Sequence, residues 1–469
     1  MTSSRVLLLL FLSAFLAGAG SAATSGSFVP STPVSAEYPS GLPIPTAADA
    51  STSKQFASVY SRWMDRAILG SYREAHPGES KGLDIIAKGC DYLRLGDDQL
   101  RREISVAAEP LEQSGIDDPV FFLIAGVGHD NQTQKEHFLK LAIVGFPKTN
   151  YPRFLLYLAA ANLSKSLSDR KAPAAEVAAA DQTAFDALRA GLTDSSFRPD
   201  EMPALRWRLD SPSNYSLLRR RGADMIPIFE QAVHVPEWIR EYGLGLCYRF
   251  VAWEARTGDW ASEVTEKGWE GWDNNLAKAR EHFTKSWELN PGDPAAAAAM
   301  IEVAMGNGDN KKAEMRQWFD RAVAAQMDYY DAYRALMWGL RPRWHGSHEE
   351  MLQLGDECLQ TKRFDTCVPN YYFEVVKDIA SELSDPRAIY DRPQILNNLK
   401  LALDVYFATP DMPLVASYGH TMAAVLNYRN GNLAAARNHM AAIQFHPNYN
   451  LGRGLTEDIA AMMKAISAQ

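Results

Sequence analysis

From about residue 54 to the end of the chain, apolar residues recur every three or four positions and hardly ever alternate, so the pattern predicts helix after helix and almost no strand. The most regular stretch runs from Leu276 to Pro291. There Ala279, Phe283, Ser286 and Pro291 follow one another at steps of four, three and five, which puts two small residues and one aromatic on a single helical face and a proline at its end. Small residues let a neighbouring helix approach, the aromatic fills the groove between them, and the proline stops the helix. Met315, Phe319 and Ala322 repeat the first two steps, starting 36 residues (315 minus 279) after Ala279. Upstream, Lys135, Leu139, Ala142 and Pro147 keep all three steps. Near the end, Gly431 precedes Ala436, Met440 stands where the aromatic would, and Pro447 comes one residue early.

This is the pattern of the second helix of a tetratricopeptide hairpin, whose usual period is about 34 residues. Asp328-Tyr-Tyr-Asp-Ala-Tyr333 then opens a further first helix, and His348 to Gln360 supplies the next second one. The intervals are uneven. The expected fold class is therefore all-α, a helix-hairpin, tetratricopeptide-like solenoid with degenerate repeats. The expected organisation is a divergent helical domain over 54–240, a tetratricopeptide-like core over 241–375 and C-terminal helical repeats over 376–469.

The N-terminus differs from the rest. Arg5 is the only charge in residues 1–23, Val6 to Leu12 is unbroken aliphatic or aromatic, and small residues follow to Ala23, which is the layout of a secretory signal peptide. The strongly apolar part falls short of the ~20 residues a membrane span needs. The expectation is an exported protein, periplasmic or secreted, with no stable membrane insertion after cleavage. Residues 24–53, rich in Ser, Pro and Ala, read as a linker.

The run from Trp260 to Trp269, continued by Ser286-Trp-Glu-Leu-Asn-Pro291, Trp318-Phe-Asp-Arg-Ala322 and Met337-Trp-Gly-Leu-Arg-Pro-Arg-Trp344, resembles a bacterial family of exported, tetratricopeptide-related domains. The resemblance covers about a third of the chain. It implies a fold and a compartment, and it brings no activity or catalytic residue with it.

Composition narrows the chemistry. With 48 Lys and Arg against 57 Asp and Glu over 469 residues, the net charge of −9 argues against a nucleic-acid partner. Gly78-Glu-Ser80-Lys-Gly82 matches a nucleophile-elbow pattern, but a helix rather than a strand precedes it, so Ser80 reads as the start of the next helix. The sequence has no phosphate loop, no dinucleotide fingerprint and no histidine pair at metal-binding spacing, and no cofactor or metal is expected.

Four cysteines follow the first 23 residues, and Cys358 with Cys367, on either side of a short break, are the candidate disulfide. Tryptophans are dense between Trp253 and Trp344. Most fall in the packing register, whereas Trp344 lies in the loop Arg341-Pro-Arg343-Trp344-His345. Arg341, Arg343, Trp344 and His345, with Tyr329 and Tyr330 at the preceding corner, are the candidate partner-binding residues, since arginine and aromatic side chains most often carry binding energy.

The functional expectation is a non-catalytic exported scaffold that binds a protein or peptide. The alternative is a glycan-binding or glycan-hydrolysing helical protein of the cell envelope, based on Asp259, Glu263, Glu266, Glu270 and Asp273 near Trp260, Trp269 and Trp272.

Overall fold

The computed structural model describes residues 27–31, 41–48, 50–95, 98–194, 197–307, 310–344, 346–409 and 416–468. The expected signal peptide, residues 1–23, lies outside them. Among the described residues the regular structure is helical and contains no strand, which bears out the all-α expectation. The chain divides into two compact units. One is Ser51–Gly308, and the other joins Asp309–Gln469 to the described residues between 27 and 50.

In the first unit, α1 (Ser53–Met64) continues through a π-helical stretch (Asp65–Gly70) into α2 (Ser71–Ala75). Then come α3 (Lys81–Leu95), α4 (Asp98–Gln113), α5 (Pro119–Gly128), α6 (Gln132–Gly145), α7 (Arg153–Asp169) and α8 (Ala174–Gly191). The unit closes with α9 (Met202–Leu209), α10 (Pro212–Glu230), α11 (Glu237–Arg256), α12 (Glu266–Leu289) and α13 (Pro294–Asn307). Neighbours in sequence pack as hairpins, with α5 on α6, α7 on α8 and α11 on α12.

The α11–α12 hairpin shows how the spacing works. Leu276, Ala279 and Phe283 of α12 are fully buried. The Phe283 ring seats over Gly245 of α11, where a Cβ would lie 2.5 Å from its Cδ1, and Ser286 Oγ donates to the Trp238 carbonyl at 2.7 Å. The small residues are thus points of close approach, as the pattern predicted. Thr265 starts α12 by accepting the Gly268 amide at 3.1 Å, a side-chain N-cap. One buried charge of this unit is paired on two sides: Arg206, 1% exposed, bonds Asp210 at 2.6 Å and Asp293 at 2.9 Å.

The second unit contains α14 (Lys311–Ala325), α15 (Tyr330–Gly339), α16 (His348–Gln360), α17 (Tyr371–Glu382), α18 (Pro393–Ala408), α19 (Ala416–Arg429), α20 (Leu433–Ala442) and α21 (Ile459–Ser467). Phe319 of α14 meets Tyr333 of α15 edge-on at 5.1 Å, and Tyr333 stacks on Tyr371 of α17 at 4.2 Å. The C-terminal hairpin turns at Gly431, whose φ of +72° suits glycine, and buries Ala436 and Met440. The division between units falls at Gly308, inside the 241–375 stretch that the spacing grouped together.

Candidate functional site

The residues proposed from sequence do not converge. Arg341 is 9% exposed and faces inward, its guanidinium bonding Asp378 at 2.6 Å and Glu382 at 2.9 Å on α17. It fastens the short 3₁₀ turn Pro342–Trp344 to that helix. Arg343 is exposed and lies over Trp338 at 4.2 Å. Trp344 is half-buried, with its amide on the Arg341 carbonyl at 2.8 Å. Tyr329 and Tyr330 sit at the opposite end of α15, about 15 Å away by helical rise. Tyr330 is tilted against Tyr371 at 6.1 Å. His345 lies outside the described residues.

Cys358 and Cys367 stand as thiols rather than as the expected bridge. Cys358 is inside α16 and fully buried, while Cys367 caps the 3₁₀ turn before α17. Burial pushes the Cys367 thiol up to about 12 and Cys358 well above its ordinary value.

Of the tryptophans of the glycan alternative, Trp272 lies in the core, Trp269 is half-buried and Trp260 is 73% exposed. Trp272 is 2% exposed and meets Trp253 edge-on at 4.7 Å. The Arg256 guanidinium lies within 6 Å of Trp253, Trp269 and Trp272. Nearby, Glu263 accepts the Trp260 amide and Asp259 accepts the Thr257 hydroxyl, so both carboxylates close their own turns. Among the described residues no cluster of His, Cys, Asp and Glu is placed to hold a metal ion.

A different site emerges on the second unit, where residues 27–31 and 41–47, read from sequence as part of a linker, lie against the helices without helix or strand of their own. The Phe28 ring is 6% exposed and stacks on Phe364 at 5.9 Å, which itself meets Tyr406 edge-on. Asn398 of α18 grips the next residue by its main chain: its Oδ1 accepts the Val29 amide at 3.4 Å, and its Nδ2 donates to the Val29 carbonyl at 2.8 Å. Gln360 of α16 donates to the Phe28 carbonyl at 3.0 Å. Ser31 gives its amide and its hydroxyl to the two Asp356 oxygens, at 2.7 and 2.9 Å, and shares a hydrogen bond with the Tyr372 hydroxyl.

The second stretch is held the same way. Asp320 of α14 accepts the Leu42 amide at 2.9 Å, Arg316 donates to the Leu42 carbonyl at 2.8 Å, and Arg363 donates to the Ala47 carbonyl. Arg316 is itself fixed by Asp320 at 2.8 Å and by Glu357 at 3.0 Å. Gly41 lies so close that a Cβ there would sit 2.3 Å from the Arg316 Nε. Ile44 is 4% exposed, whereas Val29 and Leu42 are 49% and 67% exposed.

Asn398, Arg316 and Asp356 are all nearly buried, so their polar atoms are costly unless partnered. Burial raises the Asp356 carboxyl to about 6, against the opposing pull of the Ser31 donors. A visible signal existed in the sequence. Asn398 sits on the same helical face as Ile395, Leu399 and Ala402, where an unpartnered amide is disfavoured.

Comparison with known proteins adds little chemistry. No family model matches the chain, and no curated protein does. Solved structures that match include two of monomeric mutants of IFIT1, one with m7Gppp-AAAA (anti conformation of the cap) and one with Gppp-AAAA. Each has a TM-score of 0.32 and 14% identity, and covers 83% of this chain and 79% of that one. The capped RNA belongs to those proteins alone.

Proposed function

We propose that this protein is an exported, non-catalytic helical-repeat scaffold that binds a protein partner through a non-helical peptide segment. The observation that supports it is the handling of residues 28–31 and 41–47, where four helical side chains of the second unit, Asn398, Gln360, Asp320 and Arg316, meet main-chain amides and carbonyls. Groups held in place before a ligand arrives lose little entropy when it binds, which is what a recognition surface needs. Main-chain contacts give affinity, and a few side-chain pockets give selectivity. Export rests on the signal-peptide layout of residues 1–23.

The test is site-directed cross-linking in the native host, with a photoreactive residue replacing Lys362 beside this surface. The expected outcome is one partner protein cross-linked through a mapped peptide in the envelope or secreted fraction, and loss of that product in Asn398→Ala. A protein that purifies as a free monomer and cross-links to nothing but itself would overturn the proposal.

A further inference from the structure

We infer that residues 28–31 and 41–47 are a built-in pseudo-ligand: they occupy the polypeptide-binding surface of α14, α16 and α18, and a partner segment must displace them to bind. This rests on the function proposed above and names both the regulation of that surface and the chemistry of its ligand.

Three observations carry it. First, the contacts are mostly with main-chain atoms, so another non-helical segment is able to make the same bonds to Asn398, Gln360, Asp320 and Arg316. Second, side-chain identity matters at four points, one of them the buried Ile44. The Phe364 pocket takes an aromatic, Asp356 with Tyr372 takes a hydroxyl three residues later, and the Arg316 guanidinium leaves room for nothing larger than glycine at 41. The partner segment therefore carries an aromatic residue, a serine or threonine three positions on, a glycine about ten positions beyond that and an aliphatic residue shortly after the glycine. Third, the occupant is only partly buried. Val29 and Leu42 are 49% and 67% exposed beside the buried Phe28 and Ile44.

The energetic logic is that of tethered competition. A segment of the same chain faces its own site at an effective concentration of order 1 mM. If partner and pseudo-ligand each had an intrinsic Kd of about 10 μM, the tethered copy would weaken the partner about 100-fold. Loosening it should return that factor.

The experiment uses the full chain and a fluorescein-labelled synthetic peptide reproducing residues 27–48, read by anisotropy. The Phe28→Ala/Ser31→Ala variant weakens the tethered copy and leaves the receptor helices untouched. It should bind the peptide ten- to 100-fold more tightly than the parent protein, and adding Asn398→Ala should remove the gain. Gly41→Ala, which forces the segment off Arg316 by a different contact, should give a gain in the same direction. Circular dichroism melts show that each variant is folded.

Equal binding by parent and variants would overturn the pseudo-ligand and leave the polypeptide-binding function standing. Absence of peptide binding in every folded variant would overturn both. A dimer in light scattering that vanishes in the Phe28→Ala/Ser31→Ala variant would place the segment on a second copy, overturning the intramolecular form.

Discussion

A single carboxyl makes the second unit sensitive to pH. Asp356, 7% exposed, has its pKa raised to about 6 because burial outweighs the two Ser31 donors. Its value in an unfolded chain is near 3.9. A raised acid binds its proton more tightly when folded, so the native state is favoured below about pH 4 and loses that advantage as pH rises through 6. The expected outcome is that Asp356→Asn, compared with the parent, flattens the decline in melting temperature between pH 4 and 7, with linkage worth at most about 3 kcal/mol. Equal slopes in parallel melts would reject the assignment. Arg341 offers a second test. Because it bridges Asp378 and Glu382 while nearly buried, Arg341→Ala should destabilise by about 2–4 kcal/mol and lower the melting temperature by several degrees. Arg343→Ala, at an exposed position, should change it by less than about 0.5 kcal/mol.

Hairpins are where the sequence was most legible. Steps of four and three between Ala279, Phe283 and Ser286 are local, and each of these residues is buried where that spacing places it, on the face of α12 that meets α11. The glycine opposite, Gly245, had no such signal, since a lone glycine in a helical run has several explanations. Its requirement appears only once the Phe283 ring is in place. Gly245→Ala should destabilise the protein although alanine is the better helix former, because the gain of up to about 1 kcal/mol in propensity is smaller than the cost of displacing a packed ring. Phe283→Ala should cost about 3–5 kcal/mol. The two changes share one contact, so the double variant should be less damaged than the sum, a non-additivity that denaturant unfolding of all four proteins would measure.

At the scale of the whole molecule, what the sequence hid is non-local. The fold class follows from repeated helical spacing, whereas the candidate site joins Val29 to Asn398 across 369 positions, and no periodicity spans that distance. A stretch rich in Ser and Pro reads as a linker because its composition offers little apolar surface, its large apolar residues being the scattered Phe28, Val29, Val34, Tyr38, Leu42 and Ile44. The corner around Trp344 has the residue types of a contact site, yet Arg341 there is already engaged by α17. Phe28→Ala should speed amide hydrogen exchange at Val29, Ser31 and Leu42 and at the ends of α16 and α18. Unchanged exchange there would mean that the segment contributes nothing to the unit it covers.

The order of these parts along the chain also sets a clock. Val29 is made early and its clamp, Asn398, 369 residues later, so at about 5–20 residues per second the two are separated by about 20 to 70 s of synthesis. All of Ser51–Gly308 is made in between. Until α14 and α16 have been made the segment has no place to dock, and its Phe28 and Ile44 side chains are available to whatever handles the growing chain. Engagement of Asn398 is thus a late event, and a chain cut short before α14 would display its N-terminal segment permanently.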